Sequence, residues 1–385
     1  MTLRSTWSYP TAFRIGVGRI AELAEACRAA GIARPLLVTD PGLSGLPMIA
    51  AAVATCRAAG LGVAVFDGVQ ANPIDANVEA GVVAFRAGGH DGVIAFGGGS
   101  ALDCGKVIAF AAGQTRPLWD FEDVGDWWTR ANPDAIAPII AVPTTAGTGS
   151  ETGRAGVITN SATHTKKVIF HPLMMPKIVI ADPALTTGLP PLMTAGTGMD
   201  ALSHCLEAYC APGYHPMADG IAVEGARLVH ENLRIAVRDG GNITARTHMM
   251  SAAAMGSTAF QKGLGAMHAL AHPMGALFNT HHGMTNAVLM PYVLVFNRSA
   301  IEARIARLAA YCGITPSFDG YLAEILALRA DVGVPHTIAE IGIARAQRET
   351  IIAMACVDPT AGGNPIPLDA AAVGALFDAA WEGLL

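Results

Sequence analysis

One short apolar run flows directly into four small residues and then into a helical pattern. This constrains the chain more than any other feature. Gly92 to Phe96 (GVIAF) is followed without a break by Gly97-Gly98-Gly99-Ser100 and by a helical segment from Ala101 to Ala112. A continuous apolar run of this length suits a strand buried on both faces, which belongs in a parallel sheet covered by helices. The neighbouring sequence keeps the same rhythm. Helices are predicted over Ile20 to Ala30, Leu46 to Ala59 and Asn77 to Ala87, and strands over Pro35 to Thr39 (PLLVT), Gly62 to Phe66 (GVAVF) and Ile136 to Val142 (IAPIIAV). Gly31 and Gly60 stand where helix C-caps are expected.

Beyond the fourth strand the pattern changes. Thr115 to Pro133, rich in Trp, Asp and Gly, reads as an exposed connection, and short β-like pieces lie at Val157 to Thr159, Lys167 to Phe170 and Lys177 to Ala181. After Pro191 helical spacing dominates, at Ala195 to Tyr209, Met217 to Leu233, Thr244 to Ala259, Ile301 to Ala310, Tyr321 to Asp331 and Leu368 to Trp381. The reading is an α/β part over 1–190 with a parallel sheet, then an all-helical part over 191–385. With 385 residues, of which 52% are hydrophobic, each part can bury its own core. Charged residues at only 15% exclude a disordered chain, and 31 acidic against 25 basic residues argue against a nucleic-acid binder. Seven scattered cysteines without a Cys-x-x-Cys pair favour free thiols in a reducing compartment. The opening MTLRSTWSYPTAF lacks a long apolar run, so no secretory leader and no membrane span are expected, and the expected location is the cytoplasm.

The strand-turn-helix at Gly97 to Ser100 is a phosphate-binding candidate. Glycines let the backbone approach a ligand, and the new helix offers its N-terminal amides to an anion. The pattern is neither GxGxxG nor a Walker loop. Asp103 and Lys106 on that helix have an ordinary reading as an i,i+3 surface pair. Pro143 to Glu151 (PTTAGTGSE) supplies hydroxyls and flexible backbone at the end of the fourth strand, the side on which open α/β sheets bind ligands. Asp40 ends the first clear strand. It is either part of an Asp-Pro-Gly turn or a carboxylate for a ribose diol.

Asp200 and His204 are four apart in a helical segment and share a face, as do His268 and His272. His281 and His282 follow after a turn. One carboxylate and several imidazoles in this arrangement make a plausible divalent-metal set. Spacing alone does not decide which of His268, His272, His281 and His282 are ligands.

These residues carry a resemblance. Gly97 to Ser100 with Asp103 and Lys106, PTTAGTGSE, Asp182-Pro183, Gly198 to His204 running into Glu207-Ala208-Tyr209, and Gly263 to Gly283 (GLGAMHALAHPMGALFNTHHG) continuing into Asn286 resemble the iron-containing (group III) alcohol dehydrogenase family over nearly the whole chain. The resemblance implies a dehydroquinate synthase-like architecture: an NAD-binding domain over 1–190 and a helical metal-binding and catalytic domain over 191–385, with the active site in the cleft between them. It implies that Asp200, His204, His268 and His282 bind the metal, Fe²⁺ or alternatively Zn²⁺, and that His272 is a catalytic non-ligand. It assigns NAD to Asp40, Gly97, Gly98, Gly99, Ser100, Asp103, Thr144, Thr145 and Lys166. The implied reaction passes a hydride between NAD(H) and a small primary or secondary alcohol or aldehyde, with His272 relaying the alcohol proton. A homodimer or higher homo-oligomer is expected, without nucleic-acid or membrane partners.

Two departures matter. His281 stands where many members have Pro, and the segment Phe260 to Gly263 is one residue shorter than in the propanediol-type members. Gly153, Ala155 and Val157 fall where the family lines the substrate pocket. Lys262, in the shortened segment, suggests a partner for an anionic tail on the substrate. Two alternatives stand beside this reading, a hydroxyacid-oxoacid transhydrogenase and a maleylacetate reductase-like enzyme. In the latter branch this metal set is typically not kept.

Overall fold

The computed structural model describes residues 11–385. Most of the opening segment, where no secretory leader is expected, lies outside the described residues. The described residues form two compact units: residues up to 145 with 149–187, and residues 146–148 with 188–385.

The first unit is built on a six-stranded sheet. Its strands are β1 (Ala12–Ile15), β2 (Pro35–Val38), β3 (Ala64–Phe66), β4 (Gly92–Gly97), β5 (Ile139–Pro143) and β8 (Ile178–Ala181), in the order β1-β8-β5-β4-β2-β3. Every pairing is parallel, with Leu37 opposite Ile94 and Ile94 opposite Ile140. All six residues of β4 are buried, as its unbroken apolar sequence requires. Helices α1 (Leu23–Ala29), α2 (Pro41–Ser44), α3 (Pro47–Ala58), α4 (Asp75–Ala87) and α5 (Gly99–Ala111) connect the strands. Leu23 and Cys27 of α1 and Ile49 and Cys56 of α3 pack with Leu37, Ile94, Ile140 and Ile180 into one core. Each strand therefore delivers its C-terminal residue to the same end of the sheet.

Three features differ from the sequence reading. β1 escapes detection because its four residues, AFRI, are half-exposed and include an arginine. The β-like pieces after residue 150 divide. β6 (Ala155–Asn160) and β7 (Thr165–Phe170) form a separate antiparallel hairpin, whereas the piece beginning at Lys177 becomes β8 of the main sheet. The segment 115–133 is more than an exposed connection: Phe121 is buried against Phe110, and Asp123 N donates to Val168 O of β7.

The second unit is helical: α6 (Pro191–Cys210), α7 (Pro216–Arg238), α8 (Ile243–Ala259), α9 (Ala266–Phe278), α10 (His282–Tyr311), α11 (Phe318–Asp331), α12 (Arg348–Cys356) and α13 (Ala370–Glu382). Helix α6 is buried continuously from Thr194 to Cys210, so it runs through the middle of this unit. The long α10 was visible in sequence only at its end, because Pro291 interrupts the pattern. All seven cysteines are free thiols, and no described helix is long and apolar enough to cross a membrane.

Candidate active site

Helices α6, α9 and α10 bring four metal-ligating side chains together. Asp200 and His204 lie one turn apart on α6, His268 in the first turn of α9, and His282 at the start of α10. One ligand atom from each falls within 4.8 Å of the others. Asp200, His204 and His268 are buried. The neighbouring His281 does not join them. It is the N-cap of α10, and its Nδ1 accepts the Met284 N–H at 3.2 Å.

The start of α9 is held from outside its own sequence. Its N-cap Gly265 has no side chain, and the first amides are capped remotely. Ala266 N donates to Asn364 Oδ1 at 3.2 Å, and Met267 N donates to Glu207 Oε1 at 2.7 Å. The other oxygen of Glu207 takes His268 Nδ1 at 2.6 Å. One carboxylate on α6 thus caps the helix and fixes the tautomer of its histidine, leaving Nε2 bare to face the cluster. Burial opposes a charge on His268, but Glu207, with the charges of Asp200 and Asp358, outweighs it and holds the imidazole above its ordinary range. Burial also dominates at His204, which is pushed down to about 4 despite the pull of Asp200, so it is neutral near pH 7.

The donor chemistry fits a cation. Asn286 Nδ2 sits 2.9 Å from Asp200 Oδ1 and 3.2 Å from each of His268 Nε2 and His282 Nε2. One amide nitrogen with two protons faces three ligand atoms. The amide cannot turn over, because its oxygen would then meet the Asp200 carboxylate. His204 Nδ1 and Asn286 Oδ1 are buried without a hydrogen-bond partner. Such a deficit of positive charge and of donors is costly unless a cation completes the set.

His272 is the neighbour of this cluster. Its ring stacks on His282 at 5.6 Å between centroids, and its Nδ1 lies 2.9 Å from Asp358 Oδ2. Sequence reasoning missed Asp358, which lies 86 residues along the chain and carries no spacing signal. It also left Glu207 as an unassigned motif residue.

The nucleotide candidates cluster at the C-terminal end of the sheet. Gly97 ends β4 with φ 149°, and a Cβ there would lie 2.7 Å from Ala101 Cβ. The position therefore demands glycine on both backbone and steric grounds. Helix α5 begins at Gly99 without a side-chain cap, so the amides around Gly99 and Ser100 are open to an anion. Thr144 N donates to Gly97 O, and Thr145 lies beside Gly98. Asp40 is the N-cap of α2, accepting Leu43 N at 3.1 Å, and its other carboxylate oxygen lies beside Gly97. Lys166 reaches Asn72 Oδ1 at 2.9 Å.

Asp103 and Lys106 are not a solvated surface pair. Lys106 is buried and donates to Ser150 O at 2.9 Å and to Ala155 O, while Asp103 accepts from Ser150 Oγ at 2.5 Å and Val157 N at 3.1 Å. The two side chains tie α5 to the start of the hairpin. Each oxygen of the Asp103 carboxylate thus accepts a hydrogen bond from the protein. Ala155 and Val157 share the half-exposed face of β6, and Gly153 lies just before it. Arg154 lies over the Phe170 ring at 5.5 Å.

Lys262 requires correction. Its ammonium donates to Asp219 Oδ1 at 2.5 Å and to Tyr209 O at 3.2 Å, and its side chain is 1% exposed. Asp219 is shared with Arg304 at 2.9 Å. A lysine neutralised inside the helical unit has no free charge for an anionic substrate tail.

Comparison with known proteins agrees with this architecture. The family described as iron-containing alcohol dehydrogenase matches residues 10–183, and its C-terminal family matches 194–381. The chain is 39% identical to 4-hydroxybutyrate dehydrogenase of Cupriavidus necator over 373 residues, 94% of this chain and 96% of that one. The crystal structure of a 1,3-propanediol oxidoreductase matches with a TM-score of 0.93 at 36% identity, covering 98% of this chain and all of the other. Sulfoacetaldehyde reductase from Bifidobacterium kashiwanohense, in complex with NAD+, matches with a TM-score of 0.89 at 28% identity, covering 98% of each chain. These matches define an NAD-dependent oxidoreductase acting between alcohols and aldehydes. The chain belongs to the iron-containing alcohol dehydrogenase family.

Proposed function

We propose that Asp200, His204, His268 and His282 hold one divalent metal, iron in the first place, and that the enzyme works on short primary alcohols carrying a second polar group at the far end. The observation that supports the metal reading most strongly is the convergence of three ligand atoms on the single Asn286 amide nitrogen. A carboxylate with three imidazoles suits Fe²⁺ and Zn²⁺ alike, and such an ion supplies Lewis acidity toward an alcohol or carbonyl oxygen. Glu207 orients His268, and burial keeps His204 neutral and available. Gly97 to Ser100 with the start of α5 hold the NAD diphosphate, flanked by Thr144 and Thr145. Asp40 takes the ribose diol, and Lys166 is a further nucleotide contact.

His272 handles the proton. In alcohol oxidation the substrate O–H bond breaks and its proton passes to His272 Nε2. The carbon-bound hydrogen leaves with its electron pair for the nicotinamide, and the remaining C–O bond becomes the carbonyl. Gly153, Ala155 and Val157 are the substrate contacts that the family resemblance implies. The substrate class follows from what 4-hydroxybutyrate and 1,3-propanediol share, a terminal alcohol and a distal polar group. Lys262 is not its partner.

Metal analysis of protein reconstituted with Fe²⁺ or Zn²⁺, paired with an NAD+-dependent screen, tests this reading. The panel is 4-hydroxybutyrate, 1,3-propanediol, 1-butanol and methanol. One metal per chain, lost in His268→Ala, is expected, with the two bifunctional substrates ahead in kcat/KM. Full metal content in His268→Ala sinks the ligand assignment. A lead for 1-butanol or methanol sinks the substrate class.

A further inference from the structure

His272 is held from behind by a carboxylate that is itself immobilised. Asp358 Oδ2 lies 2.9 Å from His272 Nδ1, while Asp358 Oδ1 accepts the Thr360 N–H at 2.9 Å and the Thr360 hydroxyl at 2.6 Å. Both oxygens are therefore committed, and the Asp358 side chain is only 11% exposed. Burial alone would push this carboxyl up, yet the hydrogen bond and charge of His272, with the help of Thr360, hold it below the usual range. An ionised carboxylate only accepts, so the proton between the two residues belongs to Nδ1 and Nε2 carries the lone pair. The ring is fixed from two further sides. It stacks on His282 with planes 13° apart and meets the His268 ring edge-on at 5.9 Å. An imidazole needs none of this to fill space at a helix surface. The arrangement sets which nitrogen is bare and where it points.

We propose that Asp358 is a positioning residue for His272, locking the Nδ1–H tautomer so that Nε2 is presented to the substrate hydroxyl. This rests on the reading of His272 as the proton acceptor. Thr360 acts one step further out by keeping Asp358 in place. In Asp358→Asn the amide group can donate to Nδ1, which favours the opposite tautomer and withdraws the acceptor from Nε2. A carboxylate behind a catalytic imidazole acts through that imidazole, so its removal costs nothing more once the imidazole is gone.

The test uses the full-length, metal-loaded enzyme and the variants Asp358→Asn, His272→Ala, their combination and Thr360→Val. Alcohol kcat and KM, bound metal and NAD+ affinity are measured for each. Asp358→Asn is expected to lower kcat by roughly 10–100-fold with KM within about twofold and with metal and NAD+ binding unchanged. The double variant should be no slower than His272→Ala alone, and Thr360→Val should fall between wild type and Asp358→Asn. Losses that multiply in the double variant, or metal lost with Asp358→Asn, overturn the proposal. So does an unchanged kcat in Asp358→Asn beside a slowed His272→Ala. Wild-type turnover in His272→Ala instead overturns the underlying reading of His272. Should Asp358→Asn fail to fold, ¹⁵N spectra of the wild-type histidines decide the matter: a proton on Nε2 of His272 overturns the proposal, and one on Nδ1 upholds it.

Discussion

Gly283 lies so close to Asp200 that no side chain fits between them. A Cβ on Gly283 would stand 2.8 Å from Asp200 Cβ and collide with the carbonyl oxygen of Gly196. The start of α10 can therefore approach α6 closely enough to bring His282 beside Asp200. Gly283→Ala is expected to push the two helices apart and cost about 1–3 kcal/mol of stability, the usual range for overpacking. Metal affinity should fall by at least about tenfold, read by chelator competition. A variant with wild-type metal affinity would show that the close approach does not set the site.

Asp40 does two things that one substitution can separate. Its side chain caps α2, and its charge faces the region beside Gly97. Asp40→Asn keeps an acceptor for Leu43 N and removes the charge, so stability should change little. The ratio of kcat/KM for NAD+ over NADP+ should drop by about tenfold, equivalent to ~1.4 kcal/mol of relieved like-charge repulsion. An unchanged ratio would leave Asp40 as a helix cap only.

Lys262, with its side chain buried, pairs with the half-buried Asp219 within the helical unit, and Lys262→Met should be read on stability rather than on substrate choice. Loss of the ammonium leaves Asp219 with Arg304 alone. A fall of about 1–3 kcal/mol in denaturant unfolding is expected, less than for a fully isolated charge. The relative kcat/KM for 4-hydroxybutyrate and 1-butanol should stay the same. A selective loss for the acid would restore Lys262 as a substrate contact.

Glu151 is buried, and its pKa is pushed up to about 7, chiefly by desolvation, which its own backbone amide and Lys106 only partly offset. Because the folded state favours the neutral form, this carboxyl makes no contribution to pH dependence well below pH 4.5, where it is protonated in both states. As pH rises toward 7 the unfolded chain ionises first, and stability falls. Above 7 the cost levels off at about 3 kcal/mol. Glu151→Gln should therefore gain stability over wild type progressively between those two values. A constant difference across that window would mean that Glu151 ionises normally in the fold.

Local pattern carried much of this molecule, and its limits have a physical origin. The strand-turn-helix at Gly92 to Ala112 was legible because a strand buried on both faces has no polar residue to confuse it. The i,i+4 pairs on α6 and α9 announced which histidines could share a face. Spacing alone could not say that His281 would cap a helix while His282 turned inward, since that depends on the one residue at which α10 begins; only the family resemblance singled out His282. Nor could it find Asp358 behind His272 or Asp219 behind Lys262, because both partners come from other segments at separations that follow no period. The ordinary reading of Asp103 and Lys106 as an i,i+3 surface pair is not what forms. The structure buries Lys106 because Ser150 O, Ala155 O and Asp103 satisfy its three protons.

The remote caps on α9 also bear on the order in which the polypeptide becomes competent. All four candidate donors have been synthesised once the ribosome passes His282, but the amide of Ala266 is satisfied by Asn364, 98 residues away. A nascent chain that ends between these points carries every ligand and the Glu207 cap but lacks the second cap on the first turn of α9. Asn364 is further locked to Asn297 by reciprocal amide hydrogen bonds of 2.9 and 2.8 Å. Glu207 seats His268 from within the ligand-bearing stretch, whereas the Asn364 half of the clasp joins only when the chain is nearly complete.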